Sequence, residues 1–329
     1  MSIVHVFGAA GFTGAQLAAL VDAHPHFGLG QVTARSDAGR RLAEVAPEYR
    51  LDVRLTAPDV AAVAEGEYAA VCYPHAKAAE LVSDLLDRGA RVVDVSADHR
   101  LRDPDAYPAV YGFEHPRPEL LAEAVYGLPE LHRERIRTAR LVANPGCYPT
   151  ATLLALLPVM GQLEDVVVDA KSGVSGAGRA ASSAVHFSTV TESVKPYGVF
   201  GHRHQPEIEQ ELGMPVVFTP HLVPVDRGLV ASCYARFSGA SPAPDQLLEV
   251  YRERYRDHPF VEVVSAPPGM RPVQHTNYAQ VFPAVDPPSG RLAAFGVIDN
   301  LVKGAAGQAV QNLNLMEGRP EVEGLDGRA

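Results

Sequence analysis

The chain has 329 residues, about twice the usual domain size, which implies two domains with ample core. Lys and Arg total 29 against 39 Asp and Glu, a formal charge of -10, which disfavours nucleic acid or an anionic membrane as the main partner. Hydrophobic residues at 47% and charged residues at 21% exclude a disordered chain.

The chain opens strand, glycine turn, helix, strand. Ile3 to Phe7 is short and apolar, and Gly8-Ala-Ala-Gly11-Phe-Thr-Gly14 follows at once. Ala15 to Ala23 then sets Leu17, Leu20 and Val21 on one helical face, His24-Pro25 closes that helix, and Gln31 to Ala34 is extended. The alternation continues with a strand at Ala69 to Tyr73, a helix from Lys77 to Arg88 stopped by Gly89, and a strand at Arg91 to Val95. Strands and helices in this alternation predict a Rossmann-type doubly wound parallel sheet with helices on both faces. After about residue 150 the texture changes. Strands are expected at Val166 to Ala170, Val216 to Thr219, Leu229 to Phe237 and Leu292 to Ile298, with fewer helices between them, giving a second, α+β domain with a mixed or antiparallel sheet. A last helix, Lys303 to Met316, gathers Ala305, Ala306, Ala309, Val310 and Leu313 on one face, suited to close packing on something flat such as the first domain's sheet. The polar tail after Gly318 is expected to be loosely held.

The longest apolar run, Ala151 to Met160, contains Pro158 and is shorter than the roughly 18 residues of a membrane span. The N-terminus runs straight into a strand pattern, so no secretory leader is expected. Cys72, Cys147 and Cys233 are too few and too scattered for a disulfide framework or a zinc site, which makes a reducing cytoplasm the expected compartment and a bound metal unexpected.

Three segments carry chemistry. Gly8, Gly11 and Gly14 lie between a strand and a helix, the context in which a backbone turns sharply and approaches a pyrophosphate at a helix N-terminus. The second strand ends Thr33-Ala-Arg35-Ser36-Asp37. Arg35 can pair with a 2′-phosphate and Ser36 can donate to it, which favours NADP, while Asp37 argues the other way. In Asn144-Pro-Gly-Cys147-Tyr-Pro149-Thr, the proline suits a first helical turn, so Cys147 falls at a helix N-terminus, where the dipole and free amides stabilise a thiolate nucleophile. Cys72 and Cys233 lie in apolar strands and read as small core residues. Among 13 histidines, His221 stands out, closing an apolar strand ahead of Pro224 and Arg227-Gly228. His202-Arg203-His204 is a compact cationic group in a loop, suited to an anion. Lys171-Ser-Gly-Val-Ser175-Gly-Ala-Gly178-Arg179 is either a phosphate cradle or a surface turn.

These segments, with Val95-Ser-Ala-Asp-His-Arg100, Tyr126-Gly-Leu-Pro-Glu130, Gly201-His-Arg-His204, His221-Leu-Val-Pro-Val-Asp-Arg-Gly228 and Asp299-Asn-Leu-Val-Lys-Gly-Ala-Ala-Gly307, resemble the N-acetyl-γ-glutamyl-phosphate reductases of arginine biosynthesis over nearly the whole chain. Phe12, His99 and Val225 depart from that pattern, where Tyr, Phe and Met are usual; none removes a reacting group. The resemblance implies Cys147 as acyl-accepting nucleophile and His221 as acid/base. It implies a NADP(H) site at Gly8, Gly11, Phe12, Thr13, Gly14, Arg35, Ser36, Pro74, Ser175, Gly176 and Asn300. Ser175, Arg179, His202 and Arg203 are the candidate holders of an acyl-phosphate substrate. It further implies a cofactor domain of residues 1–146 completed by 300–329, a catalytic and dimerisation domain of residues 147–299, and a homotetramer or homodimer. Aspartate-semialdehyde dehydrogenase and a lysine-pathway aminoadipyl-phosphate reductase share this architecture and stand as alternatives. An NADP-binding sensor without chemistry is the alternative from another class.

Overall fold

The computed structural model describes residues 1–325, and its chain divides into two units, Met1–Pro145 with the segment from Ala305 onward, and Gly146–Gly304. The first unit is built on a parallel sheet. Its elements are β1 (Ser2–Phe7), α1 (Phe12–Asp22), β2 (Phe27–Thr33), β3 (Tyr68–Val71), α2 (Ala79–Asp87), β4 (Arg91–Asp94), β5 (Val125–Tyr126), α3 (Pro129–Thr138) and β6 (Leu141–Ala143). The strand order β2-β1-β3-β4-β6-β5 reverses between β1 and β3, and every pairing is parallel. Such a reversal opens a crevice beyond the carboxyl ends of β1 and β3, the place where these sheets bind ligands. β1 carries Val4, Val6 and Phe7 fully buried, and β3 is buried along its whole length, as expected of strands covered on both faces.

The C-terminal helix, Gly307–Met316, belongs to this unit and packs on α1, α3 and β4. All ten of its residues are buried, so its polar side chains need partners inside. Gln308 and Asn312 donate to the Gly127 carbonyl at 3.0 and 2.9 Å, and Asn312 donates to Asn144 Oδ1 at 3.0 Å. One irregular turn, Val302–Ala306, precedes it, so the regular helix starts later than the apolar pattern suggests. The tail differs from expectation. Glu321 pairs with Arg133 at 2.6 Å and accepts from Gln311 at 2.7 Å, Asn314 donates to the Glu323 carbonyl at 2.8 Å, and Leu325 is buried. Buried amides of the last helix hold it, and a reading of the tail's own polarity has no access to them. The expected segment's residues 326–329 lie outside the described ones.

A buried pair of imidazoles sits beyond β4. His99 Nδ1 lies 2.7 Å from Asp94 Oδ2, both side chains fully buried, and the His115 ring meets His99 edge-on at 5.0 Å. Burial, with the neighbouring His99, pushes His115 down to about 4. An unfolded His115 takes up a proton near 6.5, while the folded one stays neutral until about 4. Its contribution to stability is therefore complete above 6.5 and lost as pH falls through that window, with a slope of about 1.4 kcal/mol per pH unit for the one proton. Replacing His115 by Asn, which keeps an acceptor for the Arg117 amide, is expected to flatten urea-derived stability against pH between these values. An unchanged slope would contradict this.

The second unit contains α4 (Cys147–Leu156), β7 (Leu163–Gly173), β8 (Lys195–Pro196), α5 (His204–Leu212), β9 (Val216–Val223), β10 (Leu229–Phe237), α6 (Pro244–Tyr255), β11 (Val261–Val263), β12 (Ala279–Asp286) and β13 (Arg291–Ile298). Its seven-stranded mixed sheet runs β11-β12-β13-β10-β7-β9-β8. α4 covers β10, β12 and β13, and α6 covers β11 and β12. Along β10 the residues Leu229, Ala231, Cys233 and Ala235 are fully buried while Tyr234 and Arg236 are exposed, so one face is covered and one is open. Gly296 lets α4 come this close. A Cβ there would stand 2.1 Å from the Ala151 carbonyl oxygen. Among the described residues no helix is long and apolar enough to cross a membrane.

Candidate active site

The glycine turn of the first unit has the shape its spacing implies. Gly8 has a φ of +91°, and a Cβ on it would meet the Cys72 carbonyl oxygen at 2.7 Å and the Tyr73 ring at 2.8 Å. A Cβ on Gly14 would meet the Gly8 carbonyl oxygen at 2.3 Å, so the helix can start hard against the turn only with glycine there. Gly11 is different. Its nearest such neighbour is 3.8 Å away, so a bare backbone here leaves open space at the helix N-cap. α1 begins at Phe12, earlier than the apolar pattern suggests, which puts the Phe12, Thr13 and Gly14 amides in the first turn, aimed outward as a pyrophosphate requires. A nicotinamide dinucleotide fits this cradle.

At the end of β2, Arg35 and Ser36 are exposed, and the Arg35 guanidinium lies 4.6 Å over the Tyr73 ring. Asp37, the residue that argued for NAD, is engaged already: Arg40 Nη1 donates to it at 2.8 Å and Ser36 Oγ at 2.9 Å. Arg40 was not visible as a participant in the sequence because it follows a Gly turn outside the strand. Pro74 and His75 are exposed just beyond β3.

Cys147 is the first residue of α4, half-buried, with Gly146 as N-cap. Its surroundings hold it there. Glu207, fully buried on α5, accepts from the Gly146 amide at 2.8 Å, and Thr150 closes the first turn onto the Gly146 carbonyl. Gly304 passes so near that a Cβ on it would come 2.7 Å from the Cys147 Cβ. The other thiols are unlike it. Burial pushes Cys72 up to about 12 and pushes Cys233 up too, so neither is ionised at neutral pH. Cys72 is half-buried rather than a full core residue, since it lies one residue past the end of β3.

His221 lies within β9, two residues before the strand ends. β9 continues through Val223, and His221 pairs with Lys171 of β7 and Pro196 of β8. Its Nδ1 lies 3.1 Å from Asp169 Oδ1 and 3.3 Å from the Ala170 carbonyl oxygen, and Lys171 Nζ donates to Asp169 Oδ2 at 2.5 Å. Val168, Ala170 and Phe218, of opposite parity on these strands, are fully buried. The imidazole therefore stands with Asp169 and Lys171 on the open face, opposite the side where Tyr148 of α4 meets Phe218. Its backbone carbonyl accepts from the Tyr148 hydroxyl at 3.2 Å.

Two other imidazoles occupy the side of Cys147. The His202 ring lies 5.8 Å and the His204 ring 5.9 Å from that of Tyr148, and the two are 4.8 Å apart. His204 opens α5, one turn before Glu207, so the two side chains share the helix face that meets Gly146. Burial pushes His202 down to about 4, with Arg203 adding to the effect, so it is neutral at neutral pH. The triplet is thus no cationic loop: His202 is neutral, His204 begins a helix, and Arg203 alone is exposed.

Ser175, Gly176 and Asn300 lie in the second unit and knit two turns together. Ser175 Oγ donates to the Asp226 carbonyl at 2.6 Å and accepts from Asn300 Nδ2 at 3.0 Å, while Asn300 Oδ1 accepts from the Gly228 amide at 2.8 Å. Gly176 has no room for a side chain, since a Cβ would meet Ser172 Oγ at 2.8 Å. Arg179 is exposed at the end of this turn.

Comparison with known proteins agrees with this division. Residues 3–139 match a family model described as semialdehyde dehydrogenase, NAD binding domain, and residues 147–300 one described as semialdehyde dehydrogenase, dimerisation domain. Among solved structures, aspartate semialdehyde dehydrogenase II from Vibrio cholerae superposes with a TM-score of 0.73 at 19% identity, over 97% of this chain and 98% of that one. The Candida albicans aspartate semialdehyde dehydrogenase with NADP gives 0.72 at 16% identity, over 96% and 98%. At such identities the likeness is one of fold. The chain shares the fold of the semialdehyde dehydrogenases, with a domain of the kind that binds a nicotinamide cofactor. An N-acetyl-gamma-glutamyl-phosphate reductase of Dehalococcoides mccartyi is 48% identical over 97% of this chain and 96% of its own. Another, from Halorhodospira halophila, is 47% identical over 99% and 98%. At that identity over the full length, the chain belongs to the N-acetyl-gamma-glutamyl-phosphate reductase family.

Proposed function

We propose that this protein reduces N-acetyl-L-glutamyl 5-phosphate with NADPH to N-acetyl-L-glutamate 5-semialdehyde and phosphate, a step of arginine biosynthesis in the cytoplasm. Cys147, half-buried at the head of α4 with its N-cap tied to Glu207, is the observation that carries this reading. A thiolate there attacks the acyl carbon, the C–O bond to phosphate breaks, and phosphate leaves with the electron pair, so that a thioester joins substrate to Cys147. A nicotinamide dinucleotide held at the Gly8–Gly14 turn would supply the hydride needed to reduce the thioester to the thiohemiacetal. His204 protonates the developing oxyanion and takes the proton back as the carbon–sulfur bond breaks, releasing the aldehyde and the thiolate. The assignment of His204 follows from its helix face; His221, the choice implied by the sequence resemblance, is the competing one. The second unit is the catalytic and dimerisation domain, and the open sheet face, with Tyr234 and Val217 exposed, is where a second copy packs.

Substrate anion binding falls to Arg179, Arg203 and the neutral His202, which can donate a hydrogen bond without bringing charge. The hydroxyl hydrogen of Ser175 is committed to Asp226, so Ser175 shapes the turn. A coupled assay tests the whole reading. With N-acetylglutamate semialdehyde, phosphate and NADP, NADPH is expected to form only when phosphate is present, and aspartate semialdehyde is expected to be inert. Equal or faster turnover of aspartate semialdehyde would overturn it.

Arg35, Ser36 and an Asp37 already paired with Arg40 support NADP as the cofactor. Removing Arg40 frees the Asp37 carboxylate to accept from an unphosphorylated ribose and removes a cation from the 2′-phosphate. Arg40→Ala is expected to shift the ratio of kcat/KM for NADPH over NADH toward NADH by about tenfold, the worth of one charge-assisted contact. An unchanged ratio would remove Arg40 from the site.

A further inference from the structure

Beyond β3 the chain makes the turn Tyr73-Pro-His-Ala-Lys-Ala78 before α2 starts at Ala79. Its front end is fixed against the glycine turn. The Cys72 carbonyl and the Tyr73 ring stand 2.7 and 2.8 Å from where a Cβ on Gly8 would be, and the Arg35 guanidinium lies over the Tyr73 ring at 4.6 Å. Its back end is fixed by one side chain from elsewhere. Asp98, fully buried beyond β4, accepts from the Ala76 amide through Oδ1 at 2.7 Å and from the Ala78 and Ala79 amides through Oδ2 at 2.9 and 3.1 Å. Pro74 and His75, between the two fixed ends, are exposed.

The turn needs that hold. Ala76 has a φ of +60°, left-handed backbone that a residue with a Cβ disfavours and that persists only where surrounding bonds impose it. Asp98 is itself held. Its amide donates to Ser96 Oγ at 3.0 Å, the Ser96 amide donates to Asp94 Oδ1 at 2.9 Å, and Asp94 pairs with His99. A rigid chain of contacts thus runs from the end of β4 to the rim of the dinucleotide crevice.

We infer that Asp98 is a positioning residue for dinucleotide binding, acting through the Tyr73–Ala78 turn that walls the crevice next to Gly8. The inference rests on the reading of that crevice as the cofactor site. Two variants loosen the turn from opposite sides. Asp98→Asn removes an acceptor oxygen and turns an amide group toward backbone N–H donors. Ala76→Val leaves Asp98 intact but sets a β-branched residue at positive φ. Calorimetric titration with NADP is expected to give a Kd raised at least tenfold in each. The KM for NADPH should rise in parallel, with kcat and the KM for the acyl phosphate within about threefold of wild type. Alkylation of Cys147 by iodoacetamide should proceed at the wild-type rate. A lower Tm with unchanged NADP affinity would make Asp98 a purely structural residue and overturn the inference. If Asp98→Asn does not fold, Ala76→Val decides it by the same criterion. Wild-type protein that fails to bind NADP removes the crevice reading and this inference together, whereas wild-type binding with unaffected variants removes the inference alone.

Discussion

Cys147→Ser is expected to lower turnover by on the order of 10⁴-fold or more, while its Kd for NADPH stays within about twofold of wild type. The substitution changes one atom at the head of α4. A serine hydroxyl at this position is not ionised at neutral pH, and the N-terminal amides of a helix stabilise a charge that the hydroxyl does not carry. The geometry around the position survives, because Glu207 binds the Gly146 amide and Thr150 binds the Gly146 carbonyl, neither of them through sulfur. On the proposed reading, the pyrophosphate of the cofactor is held by the other unit's glycine turn, and this atom takes no part in it. Stopped assays of turnover alongside NADPH titration separate the two effects, and a serine variant with more than a few per cent of wild-type turnover would end the covalent mechanism.

The second large effect concerns the proton. His204→Asn is expected to lower kcat by about two to four decades, the usual worth of general acid/base help, and to remove one limb of the pH profile. His221→Asn is expected to change kcat by no more than about threefold. The imidazole of His204 shares a helix face with Glu207 and meets the Tyr148 ring, whereas that of His221 stands with Asp169 and Lys171 on the open sheet face. Measured side by side, the two variants decide the assignment, and the reverse ranking would restore His221.

The direction in which the His221 side chain points is a matter of strand parity. A histidine beside a Pro/Gly-shaped loop looks like a loop residue, but β9 runs on through Val223 and its side chains alternate. Val216, Phe218 and Pro220 are buried, so His221 faces the other way. The strand pattern contained that signal once the strand was extended by four residues. The helix start at His204 was hidden within a cationic triplet, and the informative feature was the Pro206-Glu207 pair behind it, a first helical turn bearing a carboxylate. Cys147 and the glycine turn were legible because each depends on local chemistry, a residue at a strand-to-helix junction. β10 was legible to the residue, Leu229–Phe237, because the apolar residues Leu229, Ala231, Cys233, Ala235 and Phe237 fall at every second position.

Contacts between distant segments were not legible. Asp98 and the Ala76–Ala79 amides are brought together by neighbouring strands of a parallel sheet, and no local pattern marks a carboxylate that binds backbone rather than ligand. The same holds for Glu207 and Gly146, some 60 residues apart by hydrogen bond, and for the tail that the last helix's amides tie down. β12 was missed because Pro283 interrupts its run, although it pairs with β13 along eight residues.

The covalent step can be observed directly. Wild-type protein mixed with N-acetylglutamyl phosphate in the absence of NADPH, quenched in acid and weighed by intact mass spectrometry, is expected to carry an N-acetylglutamyl group mapping to the Cys147 peptide, with stoichiometric release of phosphate. Unmodified protein and no phosphate burst, from a preparation that turns over fully once NADPH is added, would contradict the account.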